Sequence, residues 1–236
     1  MAGRPIEFIA QVLPASASQA VTAATSRGLA MALAAALRTL PGPPFIASRL
    51  MHKALATASG AAGGAFGLVA LPVELPLSTV VMLRSIADIA RSEGEDLSDP
   101  ETALACLQVF ALGGRTGSDD AAESGYFTVR AILAKSVSEA ARFIAERGIV
   151  SESAPVLVRF IALVASRFGV VVTQKVAAQA VPLIGALGGA AVNYAFIEHF
   201  QDVARGHFTV RRLERAYGKD VVRAEYDRLA GKAPQQ

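Results

Sequence analysis

Cysteine and charge are both scarce in this chain of 236 residues. A single cysteine, Cys106, excludes an intramolecular disulfide and a multi-cysteine zinc site, and it fits a reducing compartment. Because Cys106 lies in an apolar run, we predict a buried, unreactive thiol. Charged residues make up 18% of the chain, against roughly 25% in an average domain. The net charge is +3 and no basic run occurs, which argues against a nucleic-acid binder.

Alternation of apolar and polar residues at period two is also rare, which argues against β-strands. Hydrophobic residues make up 53% of the chain, so apolar surface to bury is plentiful and intrinsic disorder is excluded. Proline and glycine mark predicted breaks at 41–44, 113–117 and Gly148, and segments 98–101 and 151–155 have the pattern of helix starts. We therefore predict an all-α multi-helix bundle of roughly seven to nine helices.

Two long stretches, residues 54–73 and residues 176–197, contain no charged residue. As a single helix, either would be about 30 Å long, close to the thickness of the hydrocarbon core of a bilayer. Pro72 and Pro182 should bend or end these helices. We predict that both stretches form central glycine- and alanine-rich apolar helical elements. The glycines expected to let these elements pack closely are Gly60, Gly63, Gly64, Gly67, Gly185, Gly188 and Gly189.

Two environments are compatible with these stretches. They can form the centre of a soluble bundle, or they can contact a membrane, where a shallow hairpin or an interfacial face is favoured over two full crossings. Alanine and glycine insert less readily than leucine, and Gln179 and Asn193 add a polar cost. The N-terminus lacks the compact apolar core of a secretory signal, so we expect no cleaved leader.

Arg84, Asp88 and Arg91 are spaced to share one helix face. They can form a solvated, salt-bridged stripe, or Arg84 and Asp88 can form a partly buried polar pair. The acidic segment 93–99 lacks the alternating oxygen ligands of a calcium loop. We interpret it as a solvated turn followed by a helix cap.

One metal site can be assembled from the histidines. His199 and Asp202 are one helical turn apart, and His52 or Glu74 are the available further ligands. This set defines an alternative function, a soluble metal-dependent hydrolase. The competing interpretation is an ordinary polar surface on that helix.

Charge density rises between residues 209 and 229, where arginines alternate with acids around an apolar stripe. This amphipathic end can rest on anionic lipid head groups, or it can be the solvated outer helix of a bundle.

Eight phrases occur in order between His52 and Tyr226. They are Gly60-Ala-Ala-Gly-Gly-Ala-Phe-Gly, Leu71-Pro-Val-Glu-Leu-Pro, Met82-Leu-Arg-Ser-Ile-Ala-Asp-Ile-Ala, Gly94-Glu-Asp-Leu-Ser-Asp-Pro-Glu, Cys106-Leu-Gln-Val-Phe-Ala-Leu-Gly-Gly, Val181-Pro-Leu-Ile-Gly-Ala-Leu-Gly-Gly-Ala, Asn193-Tyr-Ala-Phe and Leu213-Glu-Arg-Ala-Tyr-Gly. As a set they resemble the bacterial EcsC family. That family takes its name from a gene beside those of an ABC transporter linked to protein secretion. The resemblance carries over no catalytic residue and no cofactor.

The phrases overlap four polar residues that we expect to form one cluster between the glycine-rich elements: Glu74, Arg84, Asp88 and Asn193. An uncompensated charge in such surroundings is costly, so these residues should satisfy one another.

We expect a helical N-terminal segment at 1–50, an EcsC-like helical domain at 51–230 and a disordered tail at 231–236. The function that these observations favour is a non-enzymatic accessory protein on the cytoplasmic side of the bacterial inner membrane, peripheral or shallowly inserted. Its expected partner is lipid, a hydrophobic ligand or a membrane protein, and a protein-only adaptor is a further alternative. The oligomeric state stays open.

Overall fold

Seven helices make up the regular structure in the parts of the chain that the computed structural model describes, residues 15–39, 71–114, 125–147, 154–179 and 185–229. This confirms the predicted all-α bundle. Residues 54–70, with their four glycines, and His52 lie outside the described residues. The helices are α1 (Ala15–Thr39), α2 (Leu71–Ser92), α3 (Pro100–Leu112), α4 (Gly125–Arg147), α5 (Pro155–Gln179), α6 (Gly185–Tyr217) and α7 (Lys219–Leu229).

The helix starts and stops follow local sequence signals. Asp99 caps α3, and its Oδ1 accepts a hydrogen bond from the backbone N–H of Glu101 at 2.9 Å. Pro100 occupies the first turn, where its missing N–H costs nothing. α3 ends directly before Gly113, and α5 begins at Pro155. These predicted boundaries are confirmed.

Helices α2 and α6 lie side by side and run in the same direction. Three side-chain contacts, in chain order, define their register: Glu74 with Asn193, Ser85 with Gln201, and Glu95, just beyond α2, with Arg211. The 22 residues of α2 extend about 33 Å. The bundle therefore has two ends, which we call the Glu74 end and the Glu95 end.

An aromatic cluster fills the centre of the bundle. The ring centroid of Phe110 in α3 lies 4.8 Å from that of Phe168 in α5 and 5.4 Å from that of Phe200 in α6. Phe196 packs on Phe200 at 5.2 Å. Cys106 is fully buried in the same core, and burial raises the pKa of its thiol to about 12. The predicted burial of this thiol is therefore confirmed, and the raised pKa agrees with low reactivity.

Helix α1 packs against α2 and joins the same core. A Cβ on Gly28 of α1 would lie 2.9 Å from Oγ1 of Thr79, so the two helices approach closely at this point. Leu29 and Leu33 of α1 are buried together with Leu83 and Ile86 of α2.

The C-terminus of α3 is capped by side chains from two other helices. Arg167 of α5 donates from Nε to the carbonyl of Ala111 at 3.1 Å and from Nη2 to that of Gly114 at 2.9 Å. His199 of α6 places Nε2 2.9 Å from the carbonyl of Gly113. The last carbonyls of a helix lack partners within it, and cationic groups are favourable there. This end of α3 therefore ties α5 and α6 together.

Residues 176–197 do not form a single helix. They are divided between the end of α5 at Gln179 and the start of α6 at Gly185, on either side of Pro182. The glycines at 185, 188 and 189 lie in the first turns of α6. In the part of the chain that the structure describes, two helices have the length and composition of membrane spans, Ser18–Thr39 and Pro155–Val176.

We expect Gly114→Ala to destabilise the bundle. A Cβ at this position would lie 2.4 Å from the backbone oxygen of Arg167, which has no freedom to move away. Such overpacking should cost about 2 kcal/mol in the free energy of unfolding, measured by urea denaturation.

Gly206→Ala is the matched control, because a Cβ there meets nothing within 4 Å. It should leave stability unchanged or raise it by up to about 1 kcal/mol, since glycine is unfavourable inside a helix. Equal destabilisation by both variants would contradict the close packing of Gly114.

Candidate functional site

A buried polar group lies at the Glu74 end, where α2, α5 and α6 meet. Oε1 of Glu74 accepts a hydrogen bond from Nζ of Lys175 at 3.1 Å and another from Nδ2 of Asn193 at 3.4 Å. The side chains of Lys175 and Glu74 are 4% and 7% exposed. Charged residues are almost never buried to this extent without a partner. The ion pair and the amide of Asn193 therefore join α2, α5 and α6 at one point.

The environment of Lys175 is largely apolar. Its Nζ lies 5.0 Å from the centroid of the Phe196 ring, within reach of a cation–π interaction. Burial lowers the pKa of Lys175 below its usual value, and the charge and hydrogen bond of Glu74 oppose that shift. The ammonium group thus depends on Glu74 for its charged form.

The structure brings together only two of the four residues in the predicted cluster, Glu74 and Asn193. Arg84 lies about 15 Å further along α2 and donates from Nη2 to Oγ1 of Thr39 at 3.0 Å. Asp88 accepts from Nη1 of Arg91 at 3.3 Å on a half-buried surface. The pairing of Asp88 with Arg91 agrees with the salt-bridged stripe that was the alternative.

Lys175 completes the site, and sequence reasoning did not assign it there. In the sequence, Lys175 was noted only as the last charged residue before the stretch 176–197. The available signal was a single lysine within the apolar run of α5, a position where a charge needs a buried partner.

A groove of about 270 Å³ lies beside the ion pair, between α5 and α6. Its walls are mostly apolar, with Lys175 on one side and His199 on the other. The principal lining residues are Val171, Gln174 and Lys175 of α5 and Val192, Phe196 and His199 of α6. A concave apolar site with a few polar groups is the usual form of a small-molecule site.

Three of the residues proposed for a metal site, Glu74, His199 and Asp202, have other partners. Nε2 of His199 is engaged with the carbonyl of Gly113, and Asp202, which is exposed, pairs with Arg205. Glu74 is taken by Lys175 and Asn193, and His52 lies outside the described residues. Within the described ranges, no group of three or more histidine, cysteine, aspartate or glutamate residues is placed to hold a metal ion. These residues give the hydrolase alternative no support.

The acidic segment 93–99 is more than a solvated turn, because Glu95 is buried. Its Oε1 and Oε2 accept from Nε and Nη2 of Arg211, both at 3.0 Å, and Oε1 also accepts from Arg215. Burial alone would raise the pKa of Glu95, but the hydrogen bonds and charges of Arg211 and Arg215 outweigh it and hold the pKa below its usual value. The prediction was wrong for this residue, since Glu95 anchors α6 at its end of the bundle.

The charged residues of α6 and α7 are largely paired within the chain. Glu214 of α6 accepts two hydrogen bonds from the guanidinium of Arg130 in α4, at 2.8 and 2.6 Å. Further pairs along α6 and α7 are Arg212 with Glu93, Arg223 with Asp227, and Arg228 with Glu225. This arrangement favours the solvated outer helix over a basic surface for anionic lipid.

The sequence model of the EcsC protein family matches residues 47–213, more than two thirds of the chain. The matched range includes Glu74, Lys175 and Asn193, and also the Glu95–Arg211 pair. No curated protein and no solved structure matches the chain.

We expect Lys175→Met to destabilise the protein by about 3–5 kcal/mol, because it leaves the carboxylate of Glu74 buried without a countercharge. The double variant Glu74→Gln/Lys175→Met should lose less than the sum of the two single changes. A double-mutant cycle by urea denaturation measures this coupling.

Lys135→Met supplies the matched control, because Lys135 is 86% exposed and faces Glu139 at 3.9 Å. Its loss should be below about 0.5 kcal/mol. Strict additivity of the Glu74 and Lys175 changes would contradict the ion pair.

We expect Glu95→Gln to lower stability at neutral pH by about 2–4 kcal/mol, since it removes the countercharge of two arginines. Because the pKa of Glu95 is lower in the folded state, its contribution is present above about pH 4.5 and is lost as the pH falls through the folded value. The free energies of unfolding of the parent and the variant should therefore converge in acid, measured by denaturation at several pH values.

Glu225→Gln is the control, because Glu225 belongs to a fully exposed pair, and it should leave the denaturation midpoint unchanged. A constant difference between parent and Glu95→Gln down to low pH would refute this role.

Proposed function

The chain belongs to the EcsC family, and we propose that it is a membrane-associated accessory protein that contacts a lipid bilayer through one exposed apolar face of α5. The family takes its name from a gene beside those of an ABC transporter linked to protein secretion. We therefore assign the contact to the inner face of a bacterial membrane. The reduced, buried state of Cys106 is compatible with that compartment.

The observation that carries this proposal is the low burial of a long apolar helix, α5. The window Pro155–Val176 has a mean hydropathy of 2.0, yet only 28% of it is buried. The candidate span of α1 has a mean hydropathy of 1.4 and is 50% buried. In a soluble bundle a long apolar helix is normally well covered, because burial of apolar surface drives folding. Val158 of this window is 51% exposed, and exposed apolar surface can mark an interaction site.

One continuous face of α5 is suited to lipid. We call it the α5 face and define it by residues three or four apart: Pro155, Val158, Ala162, Ser166, Gly169 and Thr173. The hydroxyl of Ser166 donates to the carbonyl of Leu163 and that of Thr173 to the carbonyl of Gly169, each at 2.8 Å. Hydroxyl groups satisfied by their own helix do not need water. The face can therefore enter a low-dielectric environment at little polar cost.

The charge next to the α5 face is placed for an interface. Arg159 is 69% exposed at the edge of the face, and its Nη1 lies 3.9 Å from Glu139 of α4. A long arginine side chain beside an apolar surface can extend its charge towards head groups. This supports contact with the bilayer surface by a helix lying along it.

A protein-only adaptor is the second candidate, and the size of the side chains favours it. Ala162, Ser166 and Gly169 are small and lie on one line, which allows the close approach of another helix. The two candidates differ in whether protein-free vesicles suffice for binding.

We expect the parent protein to float with protein-free phospholipid vesicles, and Ala162→Glu to reduce this binding at least tenfold. A carboxylate on the lipid-facing side of α5 would have to lose water to enter the apolar part of the interface, and tenfold weaker binding corresponds to about 1.4 kcal/mol. Ala162 is exposed, so the variant should keep the parent's melting temperature.

Ala224→Glu, at an exposed alanine of α7, is the control and should float like the parent. A parent protein that stays at the bottom of the gradient, with zwitterionic and with anionic vesicles alike, would overturn the lipid contact and favour the adaptor.

A further inference from the structure

We propose that the groove between α5 and α6 binds a neutral glycerolipid, with the ester and glycerol end beside Lys175 and His199 and one acyl chain along the apolar walls. The inference rests on the proposed membrane contact for the source of the lipid. Its grounds are the volume, the charge balance and the hydrogen-bonding groups of the groove.

The size of the groove selects part of a lipid. Its volume of about 270 Å³ is slightly below the roughly 300–1,000 Å³ of drug-sized ligand sites. It therefore admits one short acyl chain with a small polar end, and not a whole two-chain lipid. Val171 and Val192 face each other from the two helices, and the Phe196 ring adds aromatic surface, so the walls match hydrocarbon.

The charge balance of the groove selects a neutral ligand. Lys175 lies in its wall, but the carboxylate of Glu74 already neutralises the ammonium at 3.1 Å. A phosphate or carboxylate bound beside Lys175 would lie close to the buried carboxylate of Glu74 and would find the ammonium already paired, which is unfavourable. A neutral polar group meets no such penalty.

The hydrogen-bonding groups match an ester and a hydroxyl. An ammonium group has three N–H donors, and Glu74 takes one of them while the Phe196 ring faces the charge. A further donor suits an ester carbonyl oxygen. Nε2 of His199 must carry a hydrogen because its partner, the Gly113 carbonyl, can only accept. In the neutral ring Nδ1 is then an acceptor, which suits a glycerol hydroxyl.

The test measures the binding of 1-octanoylglycerol, a soluble neutral probe kept below its micelle concentration, by isothermal titration calorimetry. We expect saturable binding to the parent, and at least tenfold weaker binding of 1-octanoylglycerol 3-phosphate, which adds only the anionic group.

Ala195→Trp fills the groove from an exposed position and should weaken probe binding at least tenfold. Val171→Phe, on the opposite wall, serves the same purpose if Ala195→Trp unfolds early. Ala224→Trp, on α7, should bind like the parent.

Equal binding of the two probes, or undiminished binding by the groove variants, would overturn the neutral-lipid site. Vesicle flotation separates this result from the membrane contact. If the parent protein floats but does not bind the probe, the lipid site in the groove is refuted and the membrane contact stands. If it binds the probe but does not float, the membrane contact is refuted and the lipid site stands. Ala162→Glu should bind the probe normally, because Ala162 does not line the groove.

Discussion

The ion pair between Glu74 and Lys175 is the constraint on which the arrangement of this bundle depends. A charge buried alone costs several kcal/mol, so neither residue can take its place in the core without the other. Meeting this requirement links α5 to α2 through their side chains, and the hydrogen bond from Asn193 adds α6. Once these three helices meet at one point, the parallel course of α2 and α6 and the groove between α5 and α6 follow from their continuation along the bundle.

The Glu95 end closes the same pair of helices by the same physical means. Glu95 follows α2 and is held by Arg211 and Arg215 of α6, so α6 is anchored to the α2 segment at both ends. The consequence for function is indirect. Arginines that neutralise acids of their own chain contribute little to attraction by anionic lipid. Affinity for a membrane must then come from apolar surface, and α5 is the helix with such surface left uncovered.

The features that the sequence predicted correctly depend on residues a few positions apart. The cap at Asp99, the end of α3 at Gly113 and the start of α5 at Pro155 are set by local chemistry. The pairs Lys175–Glu74 and Arg211–Glu95 join residues 101 and 116 positions apart, so no local pattern identifies them. Arg84 lies on the same helix as Glu74 but about 15 Å further along it, where it contacts Thr39 of α1, so a place on the same helix does not bring the two residues together.

The proposed membrane contact and the buried ion pair are energetically compatible. The main desolvation cost of Glu74 and Lys175 is incurred when the protein folds, because both side chains are already almost inaccessible to water. Excluding the remaining water near the groove by lipid therefore adds little cost. It also lowers the local dielectric constant and so strengthens the attraction between the two charges. A lone lysine at this position would oppose the approach of hydrocarbon, whereas the neutral pair allows it, so the pairing that holds the helices together also makes this end of the molecule compatible with lipid.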